Sequence, residues 1–265
     1  MNQSNFQKVC EFNKCFGLPH FDNPQHDILE QNKNLAKLRV DLCTEEIEEL
    51  NDAFEQKDFV EVIDALTDEL YVLYGAGSSF GVDLDHEFRN RIKNLYFLKN
   101  VPEDKTNYQL LKMYMKKEIK VDNIPVEINK VLFNTDISDK ISKLKNVVNQ
   151  DVKDLEIFKN LNNFTQVTRT LVYLLFNIYK LGIYIGIDLD KSFDIVHRSN
   201  MSKLCVDEPE AKCTVDNYKE TQTKYDTPNF KKSENGDYWV VYNESTGKIL
   251  KSINYTPANF ESMLN

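Results

Sequence analysis

The 265-residue chain carries 33 Lys and Arg against 42 Asp and Glu, a formal net charge of -9, which argues against non-specific binding to a nucleic-acid polymer, because that binding rests on cations neutralising phosphates. Only 8 Gly and 7 Pro favour long helices over a sandwich of short strands, and the length suffices for a full core without a disulfide or structural metal. Five cysteines without CxxC spacing encode neither a disulfide framework nor a zinc site, so a reducing cytoplasm is the expected compartment.

Phe6 to Phe16 reads as a short amphipathic helix with Val9, Phe12 and Phe16 on one stripe, stopping at Gly17-Leu-Pro19. From about Gln31 the apolar positions Leu35, Leu38 and Leu42 continue into Leu50, Ala53 and Phe54, a longer second helix. A break near Lys57-Asp58 precedes a third, with Val62, Leu66, Leu70 and Leu73 at helical spacing, expected to end in the region of Gly75, Gly77 and Gly81. Asp83 or Asp85 then caps a fourth through Phe88 and Ile92. The Lys- and Asn-rich stretch from Val101 to Asp139 reads as a connector with one helix around Tyr108 to Ile119.

Beyond the connector the chain repeats itself. A slide of 105 residues places Gly81-Val-Asp-Leu-Asp85 on Gly186-Ile-Asp-Leu-Asp190, Phe88 on Phe193, Leu66 on Leu171 and Phe59 on Phe164 without a gap, the mark of an internal duplication. Glu46 and Glu49 fall on Asp151 and Asp154, but Asp64 and Asp68 fall on Arg169 and Tyr173, so only the first copy keeps the full set of acids. The longest apolar run, near Leu171 to Ile187, is interrupted by Asn177, Lys180 and Gly182, and neither a membrane span nor a signal peptide is expected. Towards the C-terminus, Asp237 to Tyr242 and Lys248 to Ile253 flank Asn243-Glu-Ser-Thr-Gly247 and read as a β-hairpin. The expected fold is mainly α, a bundle of two degenerate repeats with a small β-hairpin tail: a first repeat over 1–100, a connector over 101–139, a second repeat over 140–204 and the tail over 205–265.

The charge is concentrated. From Glu45 to Glu69 there are eleven Asp or Glu and one Lys, Lys57. Glu46 and Glu49 lie at i and i+3 with Glu45 beside Glu49 at i+4, and on the next helix Glu61, Asp64 and Asp68 lie at i, i+3 and i+7, so each set lines one helix face. Crowded carboxylates repel unless a cation relieves them. Four to five oxygen ligands from two antiparallel helices suit Mg²⁺ or Mn²⁺, with water and substrate phosphates completing the shell. A solvated acidic face is the competing expectation.

Leu38-Arg39, then Glu45-Glu46-x-x-Glu49-Leu50, then Asp64-Ala65-Leu66-x-Asp68-x-x-Tyr71-Val72-x-Tyr74-Gly75 and Gly81-Val82-Asp83 resemble the MazG-like, all-α nucleoside triphosphate pyrophosphatase superfamily, over roughly Asn5 to Phe97. Val196 to Leu204 is similar to a stretch that closes the helical core in viral and phage members. The resemblance implies magnesium-dependent cleavage of a nucleoside triphosphate between its α and β phosphates, with Glu46, Glu49, Glu61, Asp64 and Asp68 as metal ligands; whether Glu61 or Asp68 completes the set stays open. Glu45, beside the ligands, is the expected proton acceptor for the attacking water. Because carboxylates alone cannot hold a tetra-anion, His197, Arg198, Asn200 and Lys203 are the expected phosphate-facing group, with Lys248 and Lys251 as weaker candidates. Tyr71, Tyr74 and Trp239 either stack on a base or belong to the core. Two other readings stand beside this one: a phosphoribosyl-ATP pyrophosphohydrolase-like enzyme and a non-catalytic nucleotide-binding module. No membrane partner is expected, and association into a homodimer is left open.

Overall fold

The computed structural model of the chain describes residues 3–115, 135–221 and 224–264. The helices are α1 (Asn5–Phe16), α2 (Ile28–Gln31), α3 (Lys33–Gln56), α4 (Phe59–Phe80), α5 (Leu84–Leu95), α6 (Asn107–Met115), α7 (Thr135–Asn160), α8 (Phe164–Ile185), α9 (Leu189–Met201) and α10 (Glu208–Glu220). A two-stranded antiparallel sheet joins β1 (Pro228–Lys232) to β2 (Trp239–Asn243). Helices α3, α4, α7 and α8 pack as a central four-helix bundle. Its core is aliphatic: Leu50, Ile63, Leu66, Leu70, Leu171 and Leu175 are all essentially inaccessible. Among the described residues no single helix is long and apolar enough to cross a membrane.

Local chemistry sets the element ends. Ser4 and Gln7 form a reciprocal capping box at the start of α1, and Gly17 closes it in the left-handed conformation. Asp58 accepts from the amides of Val60 and Glu61 to start α4. The two acids at the next boundary divide their work: Asp83 caps α5 by accepting from His86 N–H, while Asp85 turns inward to accept from Tyr74 at 2.8 Å. Of the three glycines in the region expected to end the third helix, Gly81, φ 71°, does so, while α4 runs through Gly75 and Gly77. Both are instead points of close approach. A Cβ on Gly77 would sit 2.6 Å from Leu84 Cγ, and one on Gly75 would sit 3.0 Å from Arg39 Nη1. The start of the second helix is also divided, with the short α2 separated from α3 by Asn32, whose side chain caps α3 at Leu35 N–H.

The duplication is structural. Helices α4 and α8 are 22 residues each and stand 105 apart in sequence, as do their left-handed caps Gly81 and Gly186 and the N-caps Asp83 and Asp188. Two of the three positive-φ non-glycine positions among the described residues repeat as well, Lys57 at φ 59° and Asn162 at φ 52°. On the pseudo-twofold axis the Tyr74 and Tyr179 hydroxyls meet at 3.2 Å. Around them Asn107 donates to Asp85 at 2.6 Å and Asn5 donates to Asp190 at 2.7 Å. The backbone amides of Phe6 and Tyr108 complete the pattern on Asp85 and Asp190, each at 3.3 Å.

This seam reveals a repeat the 105-residue slide hides. Ser4-Asn-Phe-Gln7 and Thr106-Asn-Tyr-Gln109 occupy equivalent positions, 102 apart, so the connector helix α6 is the counterpart of α1. The described part of that helix ends at Met115, and its expected continuation to Ile119 lies outside the described residues.

The tail departs from the expected hairpin. Trp239–Asn243 pairs along its length with Pro228–Lys232 rather than with the segment after Gly247, which contributes a single bridge, Tyr242 to Ile249. The reason lies in Asn243, whose side chain is drawn into the turn by Asp226, Ser245 and Thr246, while Gly236, φ 81°, turns the chain between β1 and β2.

Candidate functional site

Helix α3 and α4 are antiparallel partners joined through Lys57 and Asp58, and this link brings the two rows of acids face to face. Glu46 on α3 and Asp64 and Asp68 on α4 are half-buried; Glu45, Glu49 and Glu61 are exposed at the rim. Leu38, expected on the buried stripe one turn earlier, is 50 % exposed. The six acids act on one another. Burial, then the charges of Asp68, Glu49, Glu45 and Asp64, pushes Glu46 up to about 8. Burial and Asp64 push Asp68 up to about 7, and Asp64 is raised by burial and by Glu61 and Glu49. One carboxylate oxygen of Glu46 is buried with no hydrogen-bond partner among the described residues.

The second copy closes this cleft from the other side. Helix α9 packs on α4 rather than on its own half's bundle helix, with Thr67 donating to Ser192 at 2.8 Å and Tyr71 stacked on Phe193 at 5.2 Å. Tyr71 meets His197 Nδ1 at 3.1 Å, and Asn200 also bonds the Tyr71 hydroxyl. Burial, helped by Lys8, lowers the pKa of His197. Lys203 donates to Asn200 Oδ1 at 2.6 Å. Burial lowers its pKa against the opposing pull of Asp68, and Lys251 and Lys248 lower it further. A row of carboxylates thus faces a row of lysines contributed by the second repeat and the tail.

The structure sets Lys203 near Asp68 and links it through Asn200 and Tyr71 to His197, whose own charged neighbours are Lys8, Glu11 and Asp194 rather than the six acids. Arg198 points away: it is exposed, and no acid of the cleft pairs with it. Tyr74 is locked in the pseudo-twofold seam and Trp239 packs on Phe230 in the tail, so neither faces the cleft. Glu69 was not anticipated. It is fully buried beside Glu46 and Cys43, neither of its oxygens has a partner, and burial holds its pKa well above the carboxylate range. Its only sequence signal is its place next to Asp68 within an otherwise apolar face. Arg39 is likewise buried and donates to Ser79 at 3.0 Å.

As the side chains stand, no three His, Cys, Asp or Glu groups among the described residues converge into a preformed cation site. The donor chemistry nevertheless fits a hard divalent ion: every candidate is a carboxylate oxygen, and one such oxygen is buried without a partner.

The fold and cleft define an all-α protein of two fused, related halves with one acidic site retained. Residues 9–93 match the profile of the phosphoribosyl-ATP pyrophosphohydrolase family. The chain is similar to uncharacterized protein L479 of Acanthamoeba polyphaga mimivirus, 34% identical over 263 residues, which span 98% of this chain and 96% of that protein. No solved structure matches at a significant level. Residues 9–93 thus carry a domain of the phosphoribosyl-ATP pyrophosphohydrolase family, which belongs to the MazG-like all-α nucleoside triphosphate pyrophosphatase superfamily.

Proposed function

We propose that this chain is a Mg²⁺- or Mn²⁺-dependent pyrophosphohydrolase that cleaves a (deoxy)nucleoside triphosphate to the monophosphate and pyrophosphate. The observation that carries the reading is the crowding of half-buried Glu46, Asp64 and Asp68 with Lys203 near Asp68: an electrostatic arrangement that a cation together with a polyanion relieves.

Glu46, Glu49, Glu61, Asp64 and Asp68 would hold the ion. When bound, it supplies Lewis-acid polarisation of the phosphate oxygens. Lys203, steadied by Asn200, neutralises charge on the departing pyrophosphate, and His197 and Asn200, tied to Tyr71, orient a phosphate oxygen. Glu45, exposed at the rim beside Glu46, takes the proton of the water whose oxygen bonds the α-phosphorus as the bridging α–β oxygen leaves with pyrophosphate. The reading is tested by incubating purified protein and Mg²⁺ with a nucleotide panel and measuring pyrophosphate. Release that Glu49→Gln abolishes, with an unchanged circular dichroism spectrum, is the expected result; binding without turnover would favour the non-catalytic module. The family match itself favours a second reading, and turnover confined to phosphoribosyl-ATP would select it.

A further inference from the structure

Opposite the acidic cleft, at the pseudosymmetric position in the second half, α8 and α5 line an open pocket of about 730 Å³. Its wall carries Arg169 and Tyr173, the counterparts of Asp64 and Asp68. Arg91 from α5 and His26 from the loop before α2 face it too. The duplication has therefore not left a blank surface. It has replaced two acids by a cation and an aromatic ring, with a second guanidinium added alongside.

Several features make this a built site. The Arg91 guanidinium lies 4.0 Å over the Tyr173 ring and 4.7 Å from that of Phe176, a clamp that fixes the orientation of its planar donors. Among the described residues its buried Nε has no hydrogen-bond partner, and neither has the buried hydroxyl of Thr168 on the same wall. Buried donors left unmade cost free energy until a ligand accepts from them. Two anions oppose the cations: Glu87 lines the pocket, and Asp151, the counterpart of Glu46, lies within electrostatic reach of Arg91 but is engaged by Asn177 at 2.9 Å. The remaining wall mixes apolar Val82, Leu95, Phe164 and Val172 with polar Asn90, Asn94 and Thr165, and His26 lies edge-on to Phe164 at 5.0 Å.

We propose that this pocket binds a nucleoside monophosphate without a metal ion. The cationic wall and the unpaired Arg91 and Thr168 donors suit a phosphate, as guanidinium groups do through paired donors. The volume lies within the range of about 300 to 1,000 Å³ that accommodates a whole small molecule, far more than an inorganic anion fills, and the aromatic side offers a base a face to pack on. With Arg169 and Tyr173 in place of two acids and Asp151 engaged by Asn177, the wall presents Glu87 but no row of carboxylates to hold a divalent ion. It binds rather than hydrolyses, and the assignment stands independently of the chemistry proposed for the acidic cleft.

The test is calorimetric titration of the full chain in EDTA with AMP, UMP and inorganic phosphate. Wild type and Asp68→Asn are expected to bind a monophosphate alike, and Arg169→Glu, at an exposed position, is expected to weaken that binding about tenfold or more, the order of one charge-assisted contact. Arg91→Gln should weaken it as well; because Arg91 also packs on Tyr173, the exposed Arg169 variant carries the decision if the Arg91 variant unfolds. The proposal is overturned if neither monophosphate binds, if Arg169→Glu leaves binding unchanged, if Asp68→Asn removes it, or if inorganic phosphate binds as tightly as the monophosphates.

Discussion

Replacing Glu46 by Gln isolates the electrostatic load of the acidic cleft. Folding raises this carboxyl from its ordinary 4.5 to about 8, so in the absence of a divalent ion the native protein keeps a proton that the unfolded chain releases. The resulting stabilisation is fully present below about pH 4.5 and is lost as pH rises through about 8. Each pH unit of such a difference corresponds to about 1.4 kcal/mol, which would reach about 5 kcal/mol for a fully enclosed group; the solvent contact that Glu46 retains reduces this to about 2 kcal/mol. Asp68, raised to about 7, adds a contribution of the same sign. Urea denaturation of metal-free protein between about pH 5 and pH 9 should therefore show wild type losing stability across the range. Glu46→Gln should show a flatter profile and stand about 2 kcal/mol above wild type at the alkaline end. Adding Mg²⁺ should restore wild type at alkaline pH and leave the variant nearly unmoved. A variant as pH-sensitive as wild type, or less stable at every pH, would refute the claim that these acids crowd a shared, partly desolvated cleft.

Lys203→Met should lower kcat/KM for the triphosphate about 10- to 100-fold in steady-state assays, the loss of one charge-assisted contact, with the melting temperature nearly unchanged; unaltered kinetics would place the phosphates away from α9. Glu49→Gln should abolish pyrophosphate release at any Mg²⁺ concentration while far-UV circular dichroism stays that of wild type. Gly77→Ala, whose new Cβ would lie 2.6 Å from Leu84 Cγ, should cost about 2 kcal/mol, read as a fall of about 5 °C in a thermal melt. Gly182→Ala should do the same through Leu189, also at 2.6 Å, and a neutral outcome at both would contradict the close helix approach.

Much of this protein was legible one residue at a time. The helical period of Val62, Leu66, Leu70 and Leu73, the caps at Asp58 and Asp83, and the 105-residue echo of Gly81-Val-Asp-Leu-Asp85 all follow from local backbone preferences and from burying one face of a helix. The spacing of Glu46, Glu49, Glu61, Asp64 and Asp68 put two rows of carboxylates on two helices for the same reason. Contacts between distant segments obey no such period, and these were decided only by packing. The crossing of α9 onto α4 carries Lys203 to the acids but turns Arg198 to solvent. The seam of Tyr74, Tyr179, Asn5 and Asn107 exposes α6 as a partner of α1, which a three-residue change of register conceals. Gly75 and Gly77 look like a stop in a linear reading because glycine is a poor helix former, yet in three dimensions their missing side chains make room for Arg39 and Leu84. Helices form from neighbours in sequence, whereas a cleft forms from whichever faces meet once the apolar stripes are buried.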